Sequence, residues 1–299
     1  MNLDHIASYL AVIGTGSFHA AARERGLSQA SVSQHIRMLE EAQQTALVVR
    51  DRAGCRPVPG TEQFAYYAEL LVDLAERTGR VLSRPRLVIG AASNIGTYLI
   101  QPVFKRFVEE YAGHLDADLV IGANGTIAER LEAGGIDVAL MEWWEDRPGF
   151  EATAWTDEEL VVIVGPGHAW RDRRTVAPAD LAGQPILGGE PQTGTGTLLR
   201  QRLGAAADKL RVTMNLGSTE AVKQAVRNDL GISLVLAGAV QDELRTGSLH
   251  ALRIEQARLR KPLWAIIRRD LPSSSPARQF IDMLAASPTP GVPAKAEQA

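Results

Sequence analysis

Cysteine is nearly missing: Cys55 is the one thiol among 299 residues. An internal disulfide and a cysteine metal cluster are therefore excluded. Long apolar runs are missing as well. No stretch reaches the ~20 residues needed to span a bilayer, and residues 231–240, the longest candidate, fit a buried strand and its turn. The start carries Asp4 and His5 inside a mixed apolar pattern, where a secretory leader needs a basic end and then an unbroken apolar core. A cytoplasmic protein with no membrane partner is expected. Catalytic signatures are absent too: there is no Gly-x-Ser-x-Gly elbow, no His-Glu-x-x-His pair and no P-loop. The histidines at 5, 19, 35, 114, 168 and 250 lack metal-ligand spacing. Gly194 and Gly196 lack the third glycine of a dinucleotide loop. No enzyme, cofactor or metal is expected.

The content is otherwise that of an ordinary folded chain of two or three domains, 45% hydrophobic and 22% charged. Net charge is −3, unevenly spread. Residues 1–59 hold six arginines (23, 25, 37, 50, 52 and 56) against five acids, a local balance of +1 that leaves −4 elsewhere. Phosphate binding depends on local clusters, and three of these arginines fall within 50–56.

Apolar spacing at Ile6, Leu10 and Ile13 predicts a helix over 3–13. Ser17 caps an alanine-rich helix over 18–25, Gly26 ends it, and Ser28 caps a third from Gln29 to about 42. A short helix, a tight turn and a longer helix make helix-turn-helix spacing. At about 100° per residue, Val32, Ile36 and Leu39 share the core-facing stripe. Ala30, Gln34 and Arg37 lie opposite, with Ser33 at the flank. Small residues permit close approach to a major groove, and Gln and Arg can pair with adenine and guanine edges. A plain solvated face is the alternative. Ser28, Gln29, Ala30, Ser31, Ser33, Gln34 and Arg37 are the candidate base and backbone readers.

Residues 47–58 read as a two-stranded wing with a charged, glycine-containing tip, in which Arg52 and Arg56 would meet phosphate or the minor groove. A solvated loop is the alternative. A long helix over 61–83 follows, with Phe64, Tyr67, Leu71, Leu74, Thr78 and Val81 at alternating spacings of three and four. That heptad seam seeks a like helix, so the helix would pair two subunits into a homodimer or, by further association, a homotetramer. Burial against the same chain is the alternative.

Strand and helix patterns alternate from residue 86 onward, predicting parallel sheets covered on both faces. Expected strands are 86–91, 117–123, 137–142, 160–165, 185–188, 211–215, 231–236 and 263–268. Helices are expected over 98–111, 127–133, 197–206, 219–228 and 277–285. The Pro/Ala-rich tail 287–299 reads as disordered.

Two runs, Gly16-Ser17-Phe18-His19-Ala20-Ala21-Ala22 and Leu27-Ser28-Gln29-Ala30-Ser31-Val32-Ser33-Gln34-His35-Ile36-Arg37-Met38-Leu39-Glu40, resemble the winged helix-turn-helix of LysR-type transcriptional regulators. So do Leu131-Glu132-Ala133-Gly134-Gly135-Ile136-Asp137-Val138-Ala139 and Gly217-Ser218-Thr219-Glu220-Ala221-Val222-Lys223 in the later part. The resemblance covers about 2–285, in order. Gln44 stands where the family usually has glycine, and Thr61 where a linker-capping threonine could act.

The resemblance implies an α/β chain: an all-α winged helix-turn-helix (1–59), a linker helix (60–84) and a two-lobed effector domain like a periplasmic binding protein (85–286). The lobes would be 86–160 with 266–285, and 161–265. It implies double-stranded promoter DNA and a small-molecule effector as partners, with RNA polymerase as a further one. A periplasmic-type binding protein without a DNA role is the alternative.

The ligand would sit between the lobes at strand ends. Ser93 and Asn94, Gly125 and Thr126, and Thr195 and Thr197 stand at hydroxyl-rich helix starts. Such places hold carboxylate, phosphate or sulfur oxyanions, and also serve as ordinary caps. Leu198 stands where the family often has arginine. Residues 93–99 are similar to the subgroup controlling carbon fixation or sulfur assimilation. Trp143 and Trp144 could wall the pocket or simply pack.

Overall fold

A computed structural model describes residues 2–51, 54–80, 82–188, 194–255 and 259–287. Arg52, Val81 and the tail from 288 lie outside the described residues, as does the side chain of Thr197. The chain divides into two compact units, Met1–Arg86 with Glu132–Gly135, and Leu87–Leu131 with Ile136–Ala299.

The first unit contains α1 (Leu3–Thr15), α2 (Phe18–Arg25), α3 (Gln29–Gln43), β1 (Val48–Asp51), β2 (Gly54–Pro57) and α4 (Glu62–Arg80). Each early helix end has a local cause. Asn2, Ser17 and Ser28 each accept a backbone N–H of the first turn. Gly16 and Gly26 take the left-handed conformation that stops α1 and α2. One apolar stripe from each helix closes the core: Ile6, Tyr9 and Val12, then Phe18 and Ala21, then Val32, Ile36 and Leu39. Fully burying such side chains contributes about 1.5–3 kcal/mol each, enough to hold three short helices that would not persist alone.

In α4 the expected heptad seam divides. Phe64 lies edge-on to Tyr9, ring centroids 5.6 Å apart, and joins Ala65 and Ala68 against the unit's own core. Tyr67, Leu71, Leu74 and Thr78 stay exposed. The helix turns its small residues toward α1 because alanines allow close packing, which sends the larger apolar ones outward. The Thr61 hydroxyl is turned back to the Val58 carbonyl at 2.7 Å.

The second unit contains β3 (Arg86–Ala92), a π-helical turn (Ile95–Leu99), α5 (Gln101–Glu110), β4 (Asp116–Gly122), α6 (Asn124–Glu132), β5 (Val138–Met141) and β6 (Phe150–Val164). It continues with β7 (Thr175–Val176), α7 (Pro178–Leu181), β8 (Pro185–Leu187), α8 (Gly194–Leu203), β9 (Arg211–Met214) and α9 (Thr219–Arg227). Last come β10 (Ser233–Leu236), α10 (Gln241–Thr246), β11 (His250–Ile254), β12 (Arg260–Arg268) and α11 (Pro276–Ala285).

The expectation of parallel sheets is corrected for the eight-stranded sheet, which is mixed. β3 pairs with β5 in parallel, and β8 with β9, across helical connections. β12 runs antiparallel to both β5 and β6. β6 is also ten residues longer than expected at its start, where Phe150–Glu159 pairs with β12. Its later half then pairs antiparallel with β10 and β11. The acidic, half-exposed opening of β6 hides it from any apolar pattern. The expected helix 98–111 is replaced by the π-turn and α5, whose second residue is Pro102. Proline has no N–H to continue a helix and is tolerated in a first turn.

Candidate functional site

On α3, Val32, Ile36 and Leu39 are buried, while Gln29, Ala30, Gln34 and Arg37 are exposed. Ser31 and Ser33 are half-buried at the flanks. Ser28 accepts the Ser31 N–H at 3.0 Å, and the two hydroxyls meet at 2.8 Å. Both serines therefore fix the start of the helix, and the amide and guanidinium of Gln34 and Arg37 project away from the core.

The wing is tied to this framework in ways that the sequence pattern does not show. The Cys55 N–H donates to the Gly16 carbonyl at 2.8 Å. Gly54 adopts φ +122°, and a Cβ there would come within 2.9 Å of the Gly16 oxygen, so only glycine fits. The Arg50 guanidinium stacks 3.7 Å above the Phe18 ring, which holds β1 to the first residue of α2. Arg56 is exposed on β2.

The second unit encloses a cavity of about 590 Å³, within the usual range for small-molecule sites. The ends of β3 and β5, the π-turn, the starts of α6, α8 and α9, β10 and Lys261 on β12 converge on it. Ser93, Asn94 and Thr195 line it, as does Trp143. Trp144 instead packs edge-on against Phe150, with Arg147 over its ring. Gly125 and Thr126 are exposed and do not line the cavity; Ala123 and Asn124 do. α6 begins at Asn124, three residues before the expected start, and this shifts which residues face inward.

Asn94 is the centre of a polar chain. Its amide donates to Glu142 at 2.9 Å, and its carbonyl oxygen accepts from the Thr219 hydroxyl at 2.6 Å. The second Glu142 oxygen pairs with the buried Lys261 ammonium. Asn124 accepts the Glu142 N–H at 2.9 Å and donates to the Trp143 carbonyl. Across the cavity, Tyr98 donates to Glu220 at 3.4 Å. Glu220 also meets Lys223 at 2.9 Å. Hydrogen bonds from Lys223 and Gln224 hold the Glu220 carboxyl below the ordinary range. Burial pushes the Tyr98 phenol up, against the opposing Lys223 charge. For Lys223, burial disfavours the ammonium, but bonds to Glu243 and Glu220 outweigh it and raise the group.

Several of these residues escape sequence reasoning. Ser218 caps α9 by accepting the Ala221 N–H at 3.2 Å, the same signal that drew attention to Ser93, and it could have been found that way. Glu142 and Lys261 carry no local signal, since their importance depends on two strands distant in sequence. Among the described residues, no group of three or more acidic, His or Cys side chains could hold a metal ion, and no helix is long and apolar enough to cross a membrane.

Residues 3–60 match the bacterial regulatory helix-turn-helix of the lysR family, and residues 81–288 match the LysR substrate binding domain. The chain is 42% identical over 190 residues to the putative HTH-type transcriptional regulator protein PtxE of Stutzerimonas stutzeri, covering 64% of this chain and 97% of that one. It is 28% identical over 292 residues to the RuBisCO operon transcriptional regulator of Allochromatium vinosum, covering 94% and 95%. In fold it is similar to full-length CbnR complexed with its target DNA, with a TM-score of 0.75 at 19% identity over 96% of this chain and 99% of that one. Both halves match in order and together span nearly the whole sequence: the chain belongs to the LysR family of DNA-binding transcriptional regulators, with a C-terminal effector-binding domain.

Proposed function

We propose that this regulator reads promoter DNA through α3 and the wing and is controlled by a small anionic metabolite held in the cavity of its effector domain. The observation that carries the DNA half is the division of α3: an apolar stripe locked in the core and Ala30, Gln34 and Arg37 presented outward. Gln34 and Arg37 are the base readers, with Gln29, Ala30 and Ser33 in close approach and Ser28 and Ser31 at the helix start. Arg56 and Arg52 contact phosphate. The ligand half is supported by the cavity and by Ser93, Asn94, Thr195, Ser218 and Thr219 at its rim. Helix starts and hydroxyls favour an oxyanion.

The exposed apolar face Tyr67, Leu71 and Leu74 pairs two subunits, and the ligand acts through its different affinity for alternative arrangements of the DNA-binding heads. RNA polymerase is a further partner of the promoter-bound form. The test begins with sequencing genomic fragments retained by the purified protein, followed by titration of the recovered site. Gln34→Ala and Arg37→Ala should each erode the preference for that site by about 1–3 kcal/mol, roughly fivefold to a hundredfold, whereas Arg56→Ala should weaken all sequences alike. Intact discrimination in both α3 variants would remove this face from the reading.

A further inference from the structure

The effector domain buries two lysines, and they are not equivalent. Lys223 on α9 and Lys261 on β12 are both 4% exposed. A protonated lysine carries three N–H donors. Lys223 uses three acceptors: Glu220 at 2.9 Å, Glu243 at 2.8 Å and the Ala239 carbonyl at 3.1 Å. Its ammonium is saturated by its own domain. Lys261 has one hydrogen-bond partner among the described residues, the Glu142 carboxylate. It lines the cavity, and Lys223 does not.

A buried ammonium with unused donors is costly unless something supplies acceptors. Other polar groups lining the same cavity include Asn94, which is committed to Glu142 and Thr219, the hydroxyls of Thr219 and Ser218, and the Glu220 carboxylate, which is held by Lys223. The ion-pair partner of Lys261, Glu142, is also bonded to Asn94, so each of its oxygens has a donor. Glu142 and Lys261 together contribute no net charge to the wall.

We propose that the Lys261 ammonium is the point that receives the ligand's anionic group, and that Glu142 is a built-in competitor that sets how much negative charge the site accepts. The inference rests on the reading of the cavity as an oxyanion site and deepens it. Two consequences separate it from binding by helix starts alone. The neutralised pair should keep affinity for multiply charged anions low, because the incoming group meets the Glu142 charge beside Lys261. Removing that charge while keeping the side chain's shape should then raise affinity, most strongly for a dianion.

Isothermal titration of the full chain with sulfate and with acetate, at constant ionic strength, tests this. Glu142→Gln should bind sulfate at least tenfold more tightly than the unmodified protein and acetate by a smaller factor. Lys261→Met should weaken both at least tenfold. If Lys261→Met alone does not fold, the double variant Glu142→Gln/Lys261→Met, which removes both charges, takes its place and should still bind at least tenfold more weakly than the unmodified protein. Sulfate binding by Glu142→Gln that is undetectable or no tighter than that of the unmodified protein overturns the proposal, as does a twofold or smaller effect at Lys261. Ser93→Ala and Ser218→Ala distinguish the two levels. If they weaken binding while the Lys261 variants do not, the cavity remains an oxyanion site and Lys261 is not its anchor. If none of these variants alters binding, the oxyanion reading itself falls.

Discussion

The Glu40 carboxylate near the end of α3 accepts the backbone N–H groups of Leu47 at 2.8 Å and Val48 at 3.2 Å, through a single oxygen, Oε1. It thereby joins the helix proposed to read DNA to the first strand of the wing. Glu40→Ala would leave two part-buried donors without that acceptor, so the N-terminal unit should lose about 1–3 kcal/mol. Urea unfolding followed by the DNA-binding unit's own signal would measure it. A stability unchanged within about 0.5 kcal/mol would show that water substitutes for the carboxylate.

Gln44 sits at φ 51°, the left-handed region, where the chain turns out of α3. A side chain there meets the steric penalty that glycine avoids. Gln44→Gly should therefore stabilise the N-terminal unit by about 1 kcal/mol. A lower unfolding midpoint in the variant would mean that the exposed Gln44 side chain makes a compensating contact.

Leu71 and Leu74 are 38% and 52% exposed on α4, whereas Ala65 and Ala68 are buried in the unit's core. Leu71→Lys with Leu74→Lys should leave the fold of one chain within about 0.5 kcal/mol per site, the usual effect of an exposed substitution. It should also shift sedimentation from dimer to monomer. A variant that still sediments as a dimer would move the subunit contact elsewhere.

Glu158 on β6 is buried, and burial raises its carboxyl, opposed by the Gly238 N–H that reaches it at 3.4 Å. For an acid with a raised folded pKa, the protonated form is favoured by folding. Its stabilising contribution is complete below the unfolded value and is lost as pH rises through the folded one. Glu158→Gln keeps an acceptor for Gly238 without the charge. The effector domain should melt at a higher temperature at pH 7 in this variant, and the stability difference between pH 5 and pH 7 should shrink. A lower midpoint at pH 7 would mean that the charge is compensated in the folded protein.

Acidic solution should act on Glu220 in the opposite sense. Its carboxyl is held low by Lys223 and Gln224, so its contribution is present above the ordinary carboxylate range and is lost as pH falls through the depressed value. Glu220→Gln should flatten the loss of thermal stability on acidification below about pH 4.5. An identical acid limb in the variant would exclude Glu220 as a source of it.

The amino-acid order determined by itself whatever depends on neighbours a few residues apart. Ser17, Ser28, Gly16 and Gly26 set the ends of α1, α2 and α3 through bonds within one turn. The 3.6-residue period placed Val32, Ile36 and Leu39 in the core and left Gln34 and Arg37 outside. Three things were decided only in the assembled chain, each by partners far apart in sequence: the split of the α4 seam, the antiparallel runs of β6 and β12, and the meeting of Glu142 with Lys261. Which alanine face α1 would cover is a matter of packing, and the direction in which β12 meets β5 and β6 is set by pairing between residues far apart in sequence. Two charges 119 residues apart become one buried pair only after the sheet between them has formed.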